Sequence, residues 1–324
     1  MRPSRHPVVD NGRVIASQFG IEANNRLRAL GYQVIDVPRG PVAFLPAEVE
    51  VLLVTPFGWR GALRPEGWPW RIRWVQLASA GIDSYPDWLF EAPLVTAATG
   101  VTAGPVAEFA LAAIFAATKN MPACWIDAAD QWQWRRSGSI AGSTMGILGY
   151  GAIGQRIAAS GLALGMKVLV ARRTPILSPG DGIEYVGGIR DLLAGSDHLV
   201  LAAPASAATY HILNESSLSA ARPGIHIVNV ARGSLIDQDA LLAALDSGQV
   251  GLATLDVTEP EPLKPGHRFY THPRIRLSPH ISFLTPGLET DLLSYFIANL
   301  DRYRQVHSLH GQVETVAAVE DVEE

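Results

Sequence analysis

The chain has 324 residues, 48% of them hydrophobic and 18% charged, with a formal net charge of -5. That length favours two domains over a single core, and the composition excludes a disordered or fibrous chain. The negative charge argues against nucleic acid as a partner, and the single cysteine, Cys124, excludes an intrachain disulfide and a cysteine-rich metal site, so a reducing cytoplasm is the expected location and no metal is expected.

Residues 1–12 are polar, with Pro3 and Pro7, and lack the apolar run of a signal peptide, so no export is expected. Residues 13–17 then read as a short strand, 22–30 as a helix ending at Gly31, and 32–36 as the next strand. Apolar runs at 49–54, 74–77 and 94–96 continue the rhythm of a parallel sheet, with a turn-rich stretch at 57–69 between two of them. A long apolar helix follows from about Pro105, a residue suited to a first helical turn. Its greasiest part, 106–118, falls short of the roughly 20 residues that span a bilayer, which predicts a buried helix and no membrane partner.

After a tryptophan-rich polar loop at 125–136 the alternation restarts. Strands are expected at 145–148, 167–171, 199–202, 225–230, 252–256 and 275–277, with a helix at 155–164 and further helical stretches between the later strands. A helix from Pro286 to about residue 303 is expected to return to the first domain, ahead of an acidic tail at 313–324. The expected fold is α/β: two Rossmann-like or flavodoxin-like domains with doubly wound parallel sheets and a cleft between them, divided as 1–102, 103–285 and 286–324.

Between the strand at 145–148 and the next helix stands Gly149-Tyr150-Gly151-Ala152-Ile153-Gly154. In such a turn the first glycine makes a tight bend, the second lets backbone approach a pyrophosphate, and the third lets helix pack on strand, with phosphates at the helix N-terminus. Strand before and helix after give the motif the context it needs to bind a dinucleotide. The acidic residue that usually meets the ribose 2′-hydroxyl about 20 positions on is missing, and Arg172-Arg173-Thr174 stands there instead. Guanidinium groups offer forked donors to a 2′-phosphate, so NADP is favoured, with NAD possible; the bland alternative is solvated surface charge.

Further on, Asn229-Val-Ala-Arg232-Gly233-Ser234, Asp256-Val-Thr-Glu-Pro-Glu261-Pro262 and Ser278-Pro279-His280 each place a reactive group near a predicted strand end. Ligands of open α/β sheets gather at the carboxyl ends of strands, which allows these groups to converge. With Ser79-Ala80-Gly81-Ile82-Asp83, residues 100–108 and Asp237, these motifs resemble the D-isomer-specific 2-hydroxyacid dehydrogenases, which include glyoxylate and hydroxypyruvate reductases. The resemblance covers most of the chain except its termini. It departs at Thr102, where the family often carries Asn, and at Phe109, where it often carries His, so neither is given a catalytic role.

The resemblance implies a substrate-binding domain in 1–102, a dinucleotide-binding domain in 103–285, and reduction of a small 2-oxo acid to the D-2-hydroxy acid. Arg232 suits the substrate carboxylate and ketone through its fixed, always charged fork. His280 suits the proton transfer, because imidazole titrates around neutrality, and a close carboxylate such as Glu261 stabilises the imidazolium and orients the ring. Glu259 lies in the same loop, but Glu261 is the position that matches the family. Backbone amides at Ala80 and Gly81 are implied to hold the substrate carboxylate. The expected cofactor-binding set is Gly149, Gly151, Ala152, Ile153, Gly154, Arg172, Arg173, Thr174, Pro204 and Asp256; Asp256 reads as orienting its own loop or contacting the nicotinamide end, with a buried strand-end cap as the competing reading. Two other functions stay open: a dehydrogenase of another small acid such as phosphoglycerate, and a non-catalytic dinucleotide-sensing or corepressor protein on the same scaffold. A homodimer is expected from the apolar helix at 106–118; Trp132 and Trp134 read either as packing, at a subunit interface for instance, or as lining the mouth of the substrate site.

Overall fold

The computed structural model describes residues 13–59, 61–173 and 182–313. Thr174, residues 1–12 and the tail beyond residue 313 lie outside them. The chain divides into two compact units, 1–102 with 285–324, and 103–284.

The first unit is built on strands β1 (Val14–Ser17), β2 (Gln33–Asp36), β3 (Val51–Val54), β4 (Trp74–Leu77) and β5 (Val95–Ala97), with α1 (Ile21–Ala29) between the first two. All pairings are parallel, in the order β2-β1-β3-β4-β5. Strands β3 to β5 are buried along their whole length, whereas β2, at the edge, is only half buried. A carboxy-terminal helix, Leu288–Arg304, closes this unit by packing Leu293, Phe296 and Leu300 against Ile15, Leu27 and Trp74. Each such fully buried side chain contributes about 1.5–3 kcal/mol. A buried polar chain fixes the docking: Asn299 donates to Gln76 Oε1 (3.0 Å), which also accepts from Thr96 Oγ1 (2.9 Å). Burial without these partners would cost more than the bonds return, so the register of the returning helix is specified.

The second unit opens with α2 (Ala103–Lys119), in which Pro105 occupies the first turn, where its missing N–H costs nothing. Buried Val106, Ala107, Ala110, Ala113 and Ile114 make one helical face, packed on Ile147 and Ile157. Then come β6 (Thr144–Leu148), α3 (Ala152–Ala163), β7 (Lys167–Ala171), β8 (Ile183–Tyr185), α4 (Ile189–Gly195), β9 (His198–Leu201), α5 (Glu215–Leu218), β10 (Ile225–Asn229), α6 (Gln238–Ser247), β11 (Val250–Leu255) and β12 (Ile275–Leu277). The sheet is parallel throughout, in the order β12-β11-β10-β9-β6-β7-β8. Strand order reverses between β6 and β9, which creates the crevice where such sheets hold ligands.

Two sequence expectations are corrected. Helix α3 starts at Ala152, directly after the glycine turn, and not at 155; Gly154 comes so close to Gly149 that the turn and the first helical residues overlap. Strand β8 was not foreseen. Among the described residues no helix is long and apolar enough to cross a membrane.

At the amino ends of the central strands lies a buried histidine pair. His198 opens β9, His226 lies beside it on β10, and their Nδ1 atoms are 3.2 Å apart. His226 Nε2 reaches Thr254 Oγ1 on β11 (2.9 Å), and His198 Nε2 reaches Thr118 Oγ1 on α2 (3.5 Å).

Candidate active site

The glycine turn sits on the β6 side of the crevice, and its glycines are needed for different reasons. Gly149 has φ +96°, and a Cβ there would lie 2.8 Å from the Ala202 carbonyl oxygen after β9. A Cβ on Gly154 would lie 2.2 Å from the Gly149 carbonyl oxygen. Gly151, in contrast, is an exposed helix N-cap at φ -80°, and nothing of the chain would meet its Cβ within 4 Å. The fold itself therefore does not demand glycine at 151. An exposed backbone stripped of side chain, at a helix start whose N–H groups lack helical partners, fits a phosphate-bearing group. Ala152 and Ile153 are the first two residues of α3.

Gly149 N donates to Ala171 O (2.9 Å), which ties the turn to the last residue of β7. Arg172 and Arg173 follow at once, half-buried and exposed, at the carboxyl end of the strand neighbouring the turn. Pro204, after β9, is exposed, and its carbonyl accepts from Thr209 Oγ1 (2.8 Å).

Three further loops leave the carboxyl ends of β10, β11 and β12, which are neighbours in the sheet. After β10, buried Asn229 shapes the turn by donating to Arg232 O (2.8 Å) and accepting from Ala231 N (3.0 Å). Arg232 is half-buried, and its guanidinium donates to Ala231 O (2.7 Å). Next to it, a Cβ on Gly233 would lie 2.0 Å from the Thr258 carbonyl carbon. Only glycine lets the arginine loop come this close to the loop after β11, and Gln238 Nε2 adds a bond to Glu259 O.

In that second loop Glu261 Oε1 accepts from Thr258 N (3.1 Å), and Oε2 lies 3.0 Å from His280 Nδ1 of the third loop. An ionised carboxylate can only accept, so Nδ1 carries the proton and donates. Burial pushes the Glu261 carboxyl up, but the His280 hydrogen bond and charge, the Thr258 N–H and the nearby Arg232 charge outweigh it and hold its pKa below the ordinary value. The pair is partly exposed, at 37% and 39% of the side chains, and borders a pocket of about 540 Å³ walled by Leu263, Tyr270, Leu277 and Pro279. Glu259 is exposed in the same loop, where its backbone carbonyl accepts from Gln238 Nε2.

Asp256 is buried, and its carboxylate is engaged with Ser278, Ile281 and Ser282. Ala80 and Gly81 belong to the other unit, in the loop after β4, where Ser79 Oγ donates to Gly81 O (2.7 Å) and buried Tyr85 contacts Ser79 (3.1 Å). Sequence pattern assigns no role to Asn229, Thr258, Ser278 or Ser282, although the first three stand inside the motifs that carry Arg232, Glu261 and His280.

A parallel sheet with a glycine turn at its switch point, and an arginine, a glutamate and a histidine on three adjacent strand ends, defines a dinucleotide-binding unit of the Rossmann type. The chain belongs to the D-isomer specific 2-hydroxyacid dehydrogenase family, whose NAD binding domain matches residues 111–282. It is 38% identical over 174 residues to a 4-methyl-2-oxopentanoate reductase A of Aspergillus oryzae, covering 53% of either chain. It is 35% identical over 167 residues to a glyoxylate reductase of Thermococcus onnurineus, covering 51% of this chain and 49% of that one. The matches thus span about half the length of these curated relatives. In structure it resembles a D-isomer specific 2-hydroxyacid dehydrogenase family protein of Aeromonas salmonicida, with a TM-score of 0.78 and 26% identity over 94% of this chain and 99% of that one.

Proposed function

We propose that the protein reduces a small 2-oxo acid to its D-2-hydroxy acid with a nicotinamide dinucleotide. The observation that carries this reading is the Glu261–His280 contact at 3.0 Å, on the same sheet edge as Arg232 and the glycine turn. When bound, the dinucleotide supplies a hydride to the ketone carbon. Arg232 is the fixed cation for the substrate carboxylate and polarises its ketone. His280, its Nδ1–H spent on Glu261, has Nε2 to deliver a proton to the nascent alkoxide, and Glu261 stabilises the imidazolium before transfer. Ala80 and Gly81 offer backbone N–H groups to the carboxylate, and Gly149, Gly151, Ala152, Ile153 and Gly154 cradle the pyrophosphate, with Pro204 and the strand-end arginines as further contacts.

Arg172 and Arg173 support NADP over NAD, because a 2′-phosphate needs cationic donors where a 2′-hydroxyl needs a carboxylate. Glyoxylate or hydroxypyruvate is the proposed substrate; the glyoxylate reductase among the relatives supports it. A homodimer is supported by the apolar α2 and by Trp132 and Trp134, 77% and 100% exposed in the single chain; light scattering showing only monomer at micromolar concentration refutes it. A cytoplasmic setting is supported by Cys124 being free and exposed.

The test is NADPH and NADH consumption with a panel of 2-oxo acids. Turnover of glyoxylate or hydroxypyruvate is expected. NADPH binding with no acid reduced turns the reading to a dinucleotide-sensing protein.

A further inference from the structure

The loops that carry Arg232 and Glu261 are joined at two places. The Thr258 carbonyl leaves no room for a side chain on Gly233, and Gln238, the first residue of α6, donates from Nε2 to the Glu259 carbonyl. From there the turn runs straight to the glutamate. Thr258 N donates to Glu261 Oε1 (3.1 Å), Thr258 Oγ1 donates to Pro260 O (3.0 Å), and Glu261 Oε2 lies 3.0 Å from His280 Nδ1. The arginine side of the site therefore holds the backbone of this turn two residues before the carboxylate that meets His280.

Gln238 makes its bond at a cost to stability. Its Oε1 is buried and has no hydrogen-bond partner among the described residues, and a buried acceptor left unsatisfied is destabilising. Turning the amide over gives no relief, because Oε1 would then face the Glu259 carbonyl, acceptor against acceptor. A methionine of similar length would fill the same space without an orphaned oxygen. Groups that break a stability rule collect where a site has to be held in place. We propose that Gln238 is a positioning residue, whose amide seats the 258–261 turn on the arginine loop and so sets where the Glu261 carboxylate stands relative to His280 and Arg232. The inference rests on the roles proposed for these three residues and deepens that reading. A ketone polarised by Arg232 must lie within hydrogen-bond reach of the His280 proton, and misplacing a reacting group by about 1 Å lowers a rate on the order of 10²-fold.

Holding the fold and placing Glu261 predict opposite results. The experiment compares Gln238→Met with the unmodified chain by calorimetric Tm, NADPH affinity in a fluorescence titration, kcat and KM for glyoxylate at saturating NADPH, and the proton resonance of His280 Nδ1–H. Glu261→Gln and the double variant complete a cycle. With positioning, Tm is unchanged or higher, NADPH affinity and KM stay within about twofold, kcat falls about 5- to 50-fold, and the Nδ1–H resonance moves or broadens. In the Glu261→Gln background the same substitution then lowers kcat less than about twofold. A fall in Tm with kcat and the resonance unchanged overturns the proposal, and so does a fall in kcat that recurs undiminished in Glu261→Gln. Thr258→Val removes the bond to Pro260 O within the same turn and leaves α6 untouched, so its kcat and resonance decide the matter if Gln238→Met does not fold. Should the unmodified chain reduce no 2-oxo acid, the proposed function fails, and the resonance still reports whether Gln238 places Glu261.

Discussion

His198 and His226 face each other through their Nδ1 atoms at 3.2 Å across β9 and β10, an arrangement that requires one nitrogen to carry a proton and the other a lone pair. Protonating the accepting ring at Nδ1 sets N–H against N–H. Burial, then the neighbouring His198 charge, lowers the His226 pKa to about 3. Burial also lowers that of His198, against the opposing pull of Asp197, which is itself paired with Arg222.

Both folded values lie below the ordinary 6.5, so between the two the unfolded chain binds more protons and stability rises with pH. The contribution is complete above pH 6.5 and is lost as pH falls towards 3. Thermal unfolding of the second unit is expected to show Tm falling steadily below about pH 6.5, with a shallower slope in His226→Asn. Parallel slopes for the two proteins would contradict the assignment.

The three glycines of the turn are expected to separate stability from binding. Gly154→Ala drives a methyl to 2.2 Å from the Gly149 carbonyl and should cost about 1–3 kcal/mol, as overpacking does. Gly151→Ala meets nothing of the chain and should leave stability within about 0.5 kcal/mol, while weakening dinucleotide binding. Calorimetric Tm and NADPH titration on the same two proteins check this; equal binding by Gly151→Ala and the unmodified chain would remove the phosphate reading of the turn.

For the proton transfer, His280→Gln is expected to lower kcat by about 10²- to 10⁴-fold with NADPH affinity near normal. Because the Glu261 pKa is lowered from 4.5, its ionised form is present above that value and is lost only as pH falls through the lower one. Protonation of Glu261 should therefore cause no loss of activity between pH 5 and 7, whereas Glu261→Gln, which takes the stabilising carboxylate from the imidazolium, should lower kcat throughout that range. An unchanged kcat in Glu261→Gln would contradict the role given to the pair.

Cofactor choice is expected to follow the β7 end. Removing one charge-assisted contact costs about 1.5–3 kcal/mol, so Arg172→Ala or Arg173→Ala should shift the ratio of kcat/KM for NADPH over NADH about 10- to 100-fold towards NADH. Unchanged ratios in both would reduce these arginines to solvated surface charge.

Much of this architecture was legible because it is carried by local pattern. The buried strands β3, β4 and β7 are short apolar runs bounded by turn residues, and the glycine spacing at 149–154 marks the crevice from sequence alone. Strand β8 escaped because Ile183–Tyr185 is a three-residue edge strand with an exposed glutamate in its centre, leaving no apolar run to read. The motif at Arg232-Gly233 pointed to a site, but the demand on Gly233 comes from Thr258, 25 positions away. Asp256 shows the limit most clearly. Its residue type fitted a cofactor contact, and its partners at 278, 281 and 282 are fixed by the pairing of β11 with β12, which no local window contains.

The turn at 149–154, Arg232, Glu261 and His280 all hang from one seven-stranded sheet, while Ala80 and Gly81 hang from the other. Under the proposed function the labour is divided unevenly: one unit contains the redox and acid–base groups and the arginine for the substrate carboxylate, and the other adds backbone N–H groups. Recombination meant to retune which acid is accepted would then have to carry the helix Leu288–Arg304 along with residues 13–102, because Asn299 and Gln76 are bonded across that break in the chain.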